Sequence, residues 1–308
     1  MILKEEARKL ENKKFFSGHR TCAGCAIPII IRHILAQTDY PIVASIATGC
    51  LEVTSTIHPY NCWNISCIHN AFENAAATIS GSESAYKILK RKKKNLPKMK
   101  FIAFCGDGGA YDIGLQSISG ALERRHDFTL VVYDNNAYQN TGGQRSSATP
   151  KGAWSTTTPV GKIKLGKEEE RKNLMKILAS HNLPYLAQAA VHDLLDLTEK
   201  AKKALNTYGP TALVILSPCS PMWGFPSSDT LEISKLAFET NFWPLYEIEN
   251  RKYKITRKPS VSKPIEDFLK TQKRFSHLLK YQEKIKEIQE SIDKEWEILN
   301  ETQFIKKL

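Results

Sequence analysis

The chain of 308 residues lacks any apolar run near the roughly 18 residues that a membrane-spanning helix needs. Its first residues, MILKEEARKLENKK, carry charge and no apolar core. Export is therefore not expected, and the cytoplasm is the expected compartment. Internal repeats and low-complexity segments are absent. Acidic residues are in the minority, 32 against 44 basic ones, which leaves a formal net charge of +12. Such an excess suits an anionic partner. No helix-turn-helix, RNA-recognition or zinc-finger pattern accompanies it, so nucleic-acid binding is not expected. The densest basic run, residues 90–100, contains Pro97 and precedes an apolar segment. It reads as a solvated helix end and loop. A second C-x-x-C pair, usual in a structural zinc site, is also missing.

What is present begins with short apolar runs at 41–49, 101–106, 128–135, 183–189 and 211–218. Each is nearly continuous rather than alternating, which suits strands buried on both faces of a parallel sheet. Helix-like stretches lie between them at 70–89, 115–125, 168–180 and 192–206. This alternation predicts a doubly wound α/β domain with a mostly parallel sheet over residues 1–224. Beyond that, Pro226, Pro244, Pro259 and Pro264 punctuate a charged stretch. Residues 280–308 are rich in Lys and Glu with helical periodicity. Residues 225–308 are thus expected to form a C-terminal extension with a helical tail, wrapped around the domain or a partner subunit.

Two motifs carry chemistry. Gly106-Asp107-Gly108-Gly109 follows the strand FIAFC, and Asp134-Asn135-Asn136 follows the strand FTLVVY. One helix and one strand separate them, so both fall at the C-terminal ends of neighbouring strands, where open α/β sheets bind ligands. Glycines flanking Asp107 allow backbone N–H groups to approach a diphosphate. Asp107 and Asn135 offer hard oxygens suited to Mg²⁺, with a backbone carbonyl near Ala137 to complete the set. GDG with Asn-Asn at this spacing resembles the thiamine-diphosphate motif of decarboxylases, transketolases and oxoacid dehydrogenases.

The second motif is a set of cysteines: Cys22-Ala-Gly-Cys25, Cys50 after Thr48-Gly49, and Cys219 within Ser217-Pro-Cys-Ser-Pro221. Cys50 and Cys219 each end a predicted strand. Four thiolates are what a [4Fe–4S] cluster requires. Spacing alone leaves the cluster, a zinc site and a redox pair equally open. Cys62, Cys67 and Cys105 read as small buried residues.

At this point the segments GHRTCAGC (18–25), ATGCLEVTSTIHPYNCW (47–63), GDGGAYDIGLQSISGALERRHDF (106–128), YDNNAYQNTGGQRSSATPKGAWSTTTPVGK (133–162) and LSPCSPMWGF (216–225) align with a known family. The chain resembles the beta subunit of the four-subunit pyruvate:ferredoxin oxidoreductases, also called pyruvate synthases. The resemblance implies a thiamine-diphosphate-binding α/β fold. It implies a [4Fe–4S] cluster on Cys22, Cys25, Cys50 and Cys219, and Mg²⁺ on Asp107, Asn135 and the Ala137 carbonyl. Gly106, Gly108, Gly109, Tyr138, Asn140 and Thr141 then line the cofactor. Cys50 touches it as well, and Asn140 is expected to act near the thiazolium. Implied partners are alpha, gamma and delta subunits, ferredoxin, coenzyme A and a 2-oxoacid. Ala26 stands where relatives often carry Gly, and Ile27 where single-chain relatives have a cofactor-contacting Glu. The Glu that activates the aminopyrimidine of thiamine enzymes has no recognisable counterpart here, and the family places it on another subunit. Other 2-oxoacids (2-oxoglutarate, a branched-chain oxoacid, indolepyruvate) keep the same chemistry. A non-redox thiamine lyase would dispense with the cysteines.

Overall fold

A computed structural model describes residue 10 and residues 14–93 and 95–304. Eight strands form one sheet: β1 (Ile42–Ala47), β2 (Ser66–Asn70), β3 (Lys100–Gly106), β4 (Thr129–Asp134), β5 (Tyr185–Ala190), β6 (Thr211–Leu216), β7 (Leu245–Glu249) and β8 (Lys252–Arg257). Their spatial order is β2-β1-β3-β4-β6-β5-β7-β8. The pairings from β2 through β5 are all parallel, and β7 and β8 add an antiparallel edge. The predicted doubly wound, mostly parallel sheet is therefore present.

Its interior strands are buried on both faces, which explains their unbroken apolar runs. On β3, Phe101, Ala103 and Cys105 join one core while Ile102 and Phe104 join the other. On β4, Leu130 and Val132 divide from Val131 and Tyr133 in the same way. Burying a side chain such as Phe104 contributes about 1.5–3 kcal/mol. Ala75, Ala76 and Ser80 of the Ala75–Lys92 helix are small enough to lie close on β1 and β3, with Ile79 buried beside them. Ser45 Oγ of β1 donates to the Ala75 carbonyl at 2.8 Å. That helix ends on Lys90, Arg91 and Lys92, cations that suit its C-terminal dipole. The basic run thus straddles a helix end and a loop, as its composition suggests.

Helices also form where predicted at Leu115–Glu123 and Leu194–Asn206. The one expected over 168–180 is shorter, Leu174–Ala179. Lys167, 2 % exposed, explains the late start. Its ammonium donates to the carbonyls of Glu169 and Glu170 at 3.0 Å each, and to that of Thr149 at 2.8 Å. Asn173 then caps the helix by accepting from the Lys176 N–H.

Residues beyond 224 enter the same sheet as β7 and β8. The terminal helix, Gln282–Phe304, lays Ile285, Ile288, Ile292, Trp296 and Leu299 on the core at three- and four-residue spacing. Among the described residues, no helix is long and apolar enough to cross a membrane.

Candidate active site

The strand order reverses between β1 and β3, because the chain leaves β1 for β2 on one side and returns to β3 on the other. Ligands of open α/β sheets bind at such a switch point, beyond the strands' carboxyl ends. Cys50 follows β1 there as the first residue of the Cys50–Ser55 helix, and Asp107 follows β3. One cleft at this point is lined by Cys50, Gly106, Asp107, Gly108, Gly109, Asn135, Ala137, Tyr138, Asn140 and Thr141. Every predicted cofactor-lining residue therefore meets in one place. Thr48, Gly49, Phe72, Tyr133 and Gln139 complete the walls. Asn140 and Thr141 are exposed at its mouth.

The glycine requirement at 108 is steric. A Cβ there would come within 2.2 Å of the Tyr138 ring, whose hydroxyl donates to the Gly108 carbonyl at 3.1 Å. The ring also meets Phe72 edge to face at 5.8 Å.

Behind the glycines lies a cup of oxygens. The terminal amide atom of Asn135 stands 2.8 Å from Asp107 Oδ1 and 2.9 Å from the Ala137 carbonyl. Turned one way, the amide Nδ2 donates to both. Turned the other way, Oδ1 joins them as a third oxygen, and Nδ2 points at Cys50 Sγ, 3.9 Å away. Three oxygens meeting without a donor repel one another unless a cation sits among them. A hard divalent ion such as Mg²⁺ fits that donor set. Asp107 is 1 % exposed and accepts from the Ser146 hydroxyl. Burial, with Asp134 nearby, holds its carboxyl well above the usual carboxylate range. A bound cation would reverse that balance.

Of the Asp134-Asn135-Asn136 triplet, only Asn135 faces the cup. Asp134 accepts instead from Tyr111, Arg171 and the Asn136 amide and N–H. It is a buried strut rather than an open ligand.

The cysteines converge from three parts of the chain. Cys25 N–H donates to the Cys22 carbonyl at 3.1 Å, closing the loop between them. Ser220 Oγ donates to the Ala23 carbonyl at 3.0 Å, and Thr230 Oγ1 to that of Gly24 at 2.6 Å. Gly24, at φ 72°, has no room for a side chain, since a Cβ would meet the Ser227 carbonyl oxygen at 2.2 Å. The loop is thereby pinned beside Cys219. Burial pushes the Cys25 thiol up to about 12, and Cys219 and Cys22 add to the shift. Burial likewise pushes Cys219 up to about 11. Burial raises Cys50 further, with Cys219, Cys25, Asp107 and Cys22 all opposing its charge. The four cysteines share one electrostatic neighbourhood, and a metal centre would have to supply the charge that keeps buried Cys25, Cys50 and Cys219 thiolates.

Among the described residues, no group of three or more His, Cys, Asp or Glu is gathered tightly enough to hold a single ion. The oxygen cup contains only one such residue. A cubane binds each thiolate to a different iron, so its ligands stand further apart than those of one ion. Cys62 and Cys105 are buried in the cores, and Cys67 is half-buried on edge strand β2.

Sequence reasoning assigned no role to several neighbours. Ser146 holds Asp107, and Trp223 Nε1 donates to the Asn135 carbonyl at 2.9 Å. Gln139 Nε2 donates to the same carbonyl at 2.6 Å. Tyr133 Oη is buried among the cleft walls, and among the described residues it has no hydrogen-bond partner. Ser146 and Trp223 lie in segments that carried the resemblance, but nothing local marked what they touch.

Residues 47–215 match the family described as thiamine pyrophosphate enzyme, C-terminal TPP binding domain. Fold and cleft thus define a thiamine-pyrophosphate-binding domain. The pyruvate synthase subunit PorB of Thermotoga maritima is 48% identical, covering 96% of this chain and 95% of its own. PorB of Methanocaldococcus jannaschii is 47% identical over 92% of this chain and 96% of its own. A ketoisovalerate oxidoreductase subunit, VorB of Pyrococcus abyssi, is 41% identical over 93% and 92%. The chain belongs to the PorB family, the beta subunits of pyruvate synthase within the 2-oxoacid:ferredoxin oxidoreductases. A solved 2-oxoglutarate:ferredoxin oxidoreductase from Magnetococcus marinus shares the fold, with a TM-score of 0.58 at 22% identity over 71% of this chain and 70% of its own.

Proposed function

We propose that this chain holds thiamine diphosphate through Mg²⁺ on Asp107, Asn135 and the Ala137 carbonyl, and a [4Fe–4S] cluster on Cys22, Cys25, Cys50 and Cys219. In that role it serves the oxidative decarboxylation of pyruvate to acetyl-CoA and CO₂, with ferredoxin as acceptor. One observation carries the reading. At the switch of the sheet Asp107 Oδ1 and the Ala137 carbonyl both lie within 2.9 Å of one terminal amide atom of Asn135, and the other amide atom stands 3.9 Å from a cysteine of the thiol cluster.

When bound, the cofactor supplies the electron sink for decarboxylation and the cluster the first electron acceptor. The protein's own residues bind and orient. Asp107 takes the charge of the metal, and Ser146 keeps its second oxygen engaged. Trp223 and Gln139 fix the Asn135 backbone. The bare backbone of Gly106, Gly108 and Gly109 leaves space for a diphosphate. Tyr138 and Thr141 line its approach, and Asn140 reaches the reacting end. Cys50 serves both pockets. The cofactor-holding residues all fall within 1–224, while residues beyond 224 complete the same sheet with β7 and β8 and lay the terminal helix on its core.

The Glu that activates the aminopyrimidine then comes from an alpha subunit, so the isolated chain is inactive. Gamma and delta subunits pass electrons to ferredoxin. The net charge of +12 fits anionic partners such as ferredoxin and coenzyme A in the cytoplasm, although a lysine-rich surface accounts for it as well. Pyruvate is favoured because the relatives of 48% and 47% identity carry that name. The ketoisovalerate relative gives a branched-chain oxoacid as the second reading.

Anaerobic purification of the complex, with iron, acid-labile sulfide and thiamine assays, tests the site. Ferredoxin reduction on a panel of oxoacids tests the substrate. Cluster and thiamine with pyruvate turnover are expected. Absence of iron and sulfide from this chain would end the cluster assignment, and preference for ketoisovalerate would replace pyruvate.

A further inference from the structure

Arg274 comes from the C-terminal segment, in the single turn Lys273–Phe275, yet it is only 4 % exposed. Its guanidinium lies 3.7 Å from the centre of the Trp223 ring and 4.8 Å from that of Phe275. Nε donates to Gln272 Oε1 at 2.9 Å, and Nη2 to Asn136 Oδ1 at 3.2 Å. Both partners are neutral. Among the described residues, no carboxylate pairs with it. A buried cation without a paired anion is expensive, and it persists where another negative group compensates.

Cys219, once held as a thiolate by a metal centre, is the first compensating group. Trp223, beneath the guanidinium, donates its N–H to the Cys219 carbonyl at 2.9 Å, one turn away. Gly224 has no room for a side chain, since a Cβ would meet Lys273 Cβ at 2.6 Å, so the two segments are locked together. Burial outweighs everything else and pushes the Arg274 pKa well down from its ordinary value, Arg171 adds to that, and Cys219, then Asp134 and Asp107, work for the charge. A guanidinium stays protonated throughout the working pH range. Arg274 also shares a small cavity with Ala137, Gln139 and Met222, behind the oxygen cup. The positive charge therefore lies near Cys219 and on a cavity shared with Ala137, one of the residues of the metal seat.

We propose that Arg274 is the built-in counter-charge of the thiolate cage and raises the reduction potential of the cluster held there. The inference rests on the cluster reading above. Adding one electron makes the cage more negative by one charge, and a nearby fixed cation favours that reduced form. Net charge around a cluster is one of the protein's levers on its potential. Arg274 is a positioning residue in this sense, since it tunes an acceptor without touching substrate.

The test is an EPR-monitored redox titration of the whole complex against dithionite. The signal of this chain is the one missing from the Cys22→Ser/Cys25→Ser complex. Arg274→Gln removes the charge. Gln272→Glu leaves the arginine in place and sets a carboxylate at its Nε, which keeps the test open if Arg274→Gln does not assemble. Both variants should lower the reduced-to-oxidised ratio at fixed potential about tenfold, equivalent to about 59 mV for one electron. Arg274→Lys should stay within about threefold of the parent. An unchanged potential in Arg274→Gln or Gln272→Glu, with iron content intact, would reduce Arg274 to a packing residue. A parent complex without a cluster signal from this chain would instead remove the reading beneath the proposal.

Discussion

Asp107→Asn should stabilise the cofactor-free protein and abolish its response to Mg²⁺ and thiamine diphosphate. The carboxylate is 1 % exposed, with Asp134 in the same interior, and the Ser146 hydroxyl, nearby backbone N–H groups and, in one orientation, the Asn135 amide offset it only in part. Asparagine keeps the shape and an acceptor for Ser146 while removing the charge. The expected gain is about 1–3 kcal/mol, the usual cost of an incompletely compensated buried polar group. The parent instead gains about 2.7 kcal/mol from ligand at one hundred times its Kd. With roughly 2 °C per kcal/mol for a chain of this size, that ligand shift is about 5 °C. Differential scanning fluorimetry of the complex, with and without Mg²⁺ and thiamine diphosphate, reads both quantities. The parent should start lower and move, whereas the variant should start higher and stay. A variant that melts earlier than the parent without ligand, yet still moves by several degrees with it, would refute the oxygen cup.

Gly108→Ala should cost about 1–3 kcal/mol through overpacking against the Tyr138 ring, and Tyr138→Ala in the same chain should recover most of it in thermal melts. Serine at Cys25 or Cys219 should sharply lower iron per complex, whereas alanine at Cys62 should leave iron content at the parent level; equal losses would make the cage the wrong four sulfurs. Lys200, 1 % exposed and bound to Asp196, has its pKa pushed down to about 8 by burial. Between that value and its unfolded value near 10.4 the unfolded chain holds the extra proton, so stability should rise with pH across this window. Denaturant melts of Lys200→Met/Asp196→Leu should lose that slope.

The interior strands were legible because burial on both faces leaves an unbroken apolar signature. Edge strand β2 was not, since Ser66, Ile68 and His69 are exposed and leave no apolar run, and its last residue, Asn70, falls in the stretch read as a helix. The pair β7–β8 was hidden by prolines and charge in what looked like a tail. The GDG turn and Asn135 were readable because their chemistry follows directly on strand ends. Asp134 and Asn135 are adjacent in sequence, yet only the fold tells strut from ligand, because donors from Tyr111 and Arg171 converge on one and not the other. Arg274 carried no local mark at all. It stands 138 residues from the Asn136 side chain it binds, and only long-range packing gives it a role.

If one cluster joins Cys22, Cys25, Cys50 and Cys219, it also works as a rivet. It would fasten the entry of the chain to a turn beyond the sixth strand, and cross-links that close long loops restrict the unfolded chain most. Such a rivet can be set only after β6 has found its place, so cluster loading would come late in folding. Damage to it by air would then loosen the segment around Cys22 and Cys25 before the sheet itself gives way, and limited proteolysis near Cys25 would reveal the order.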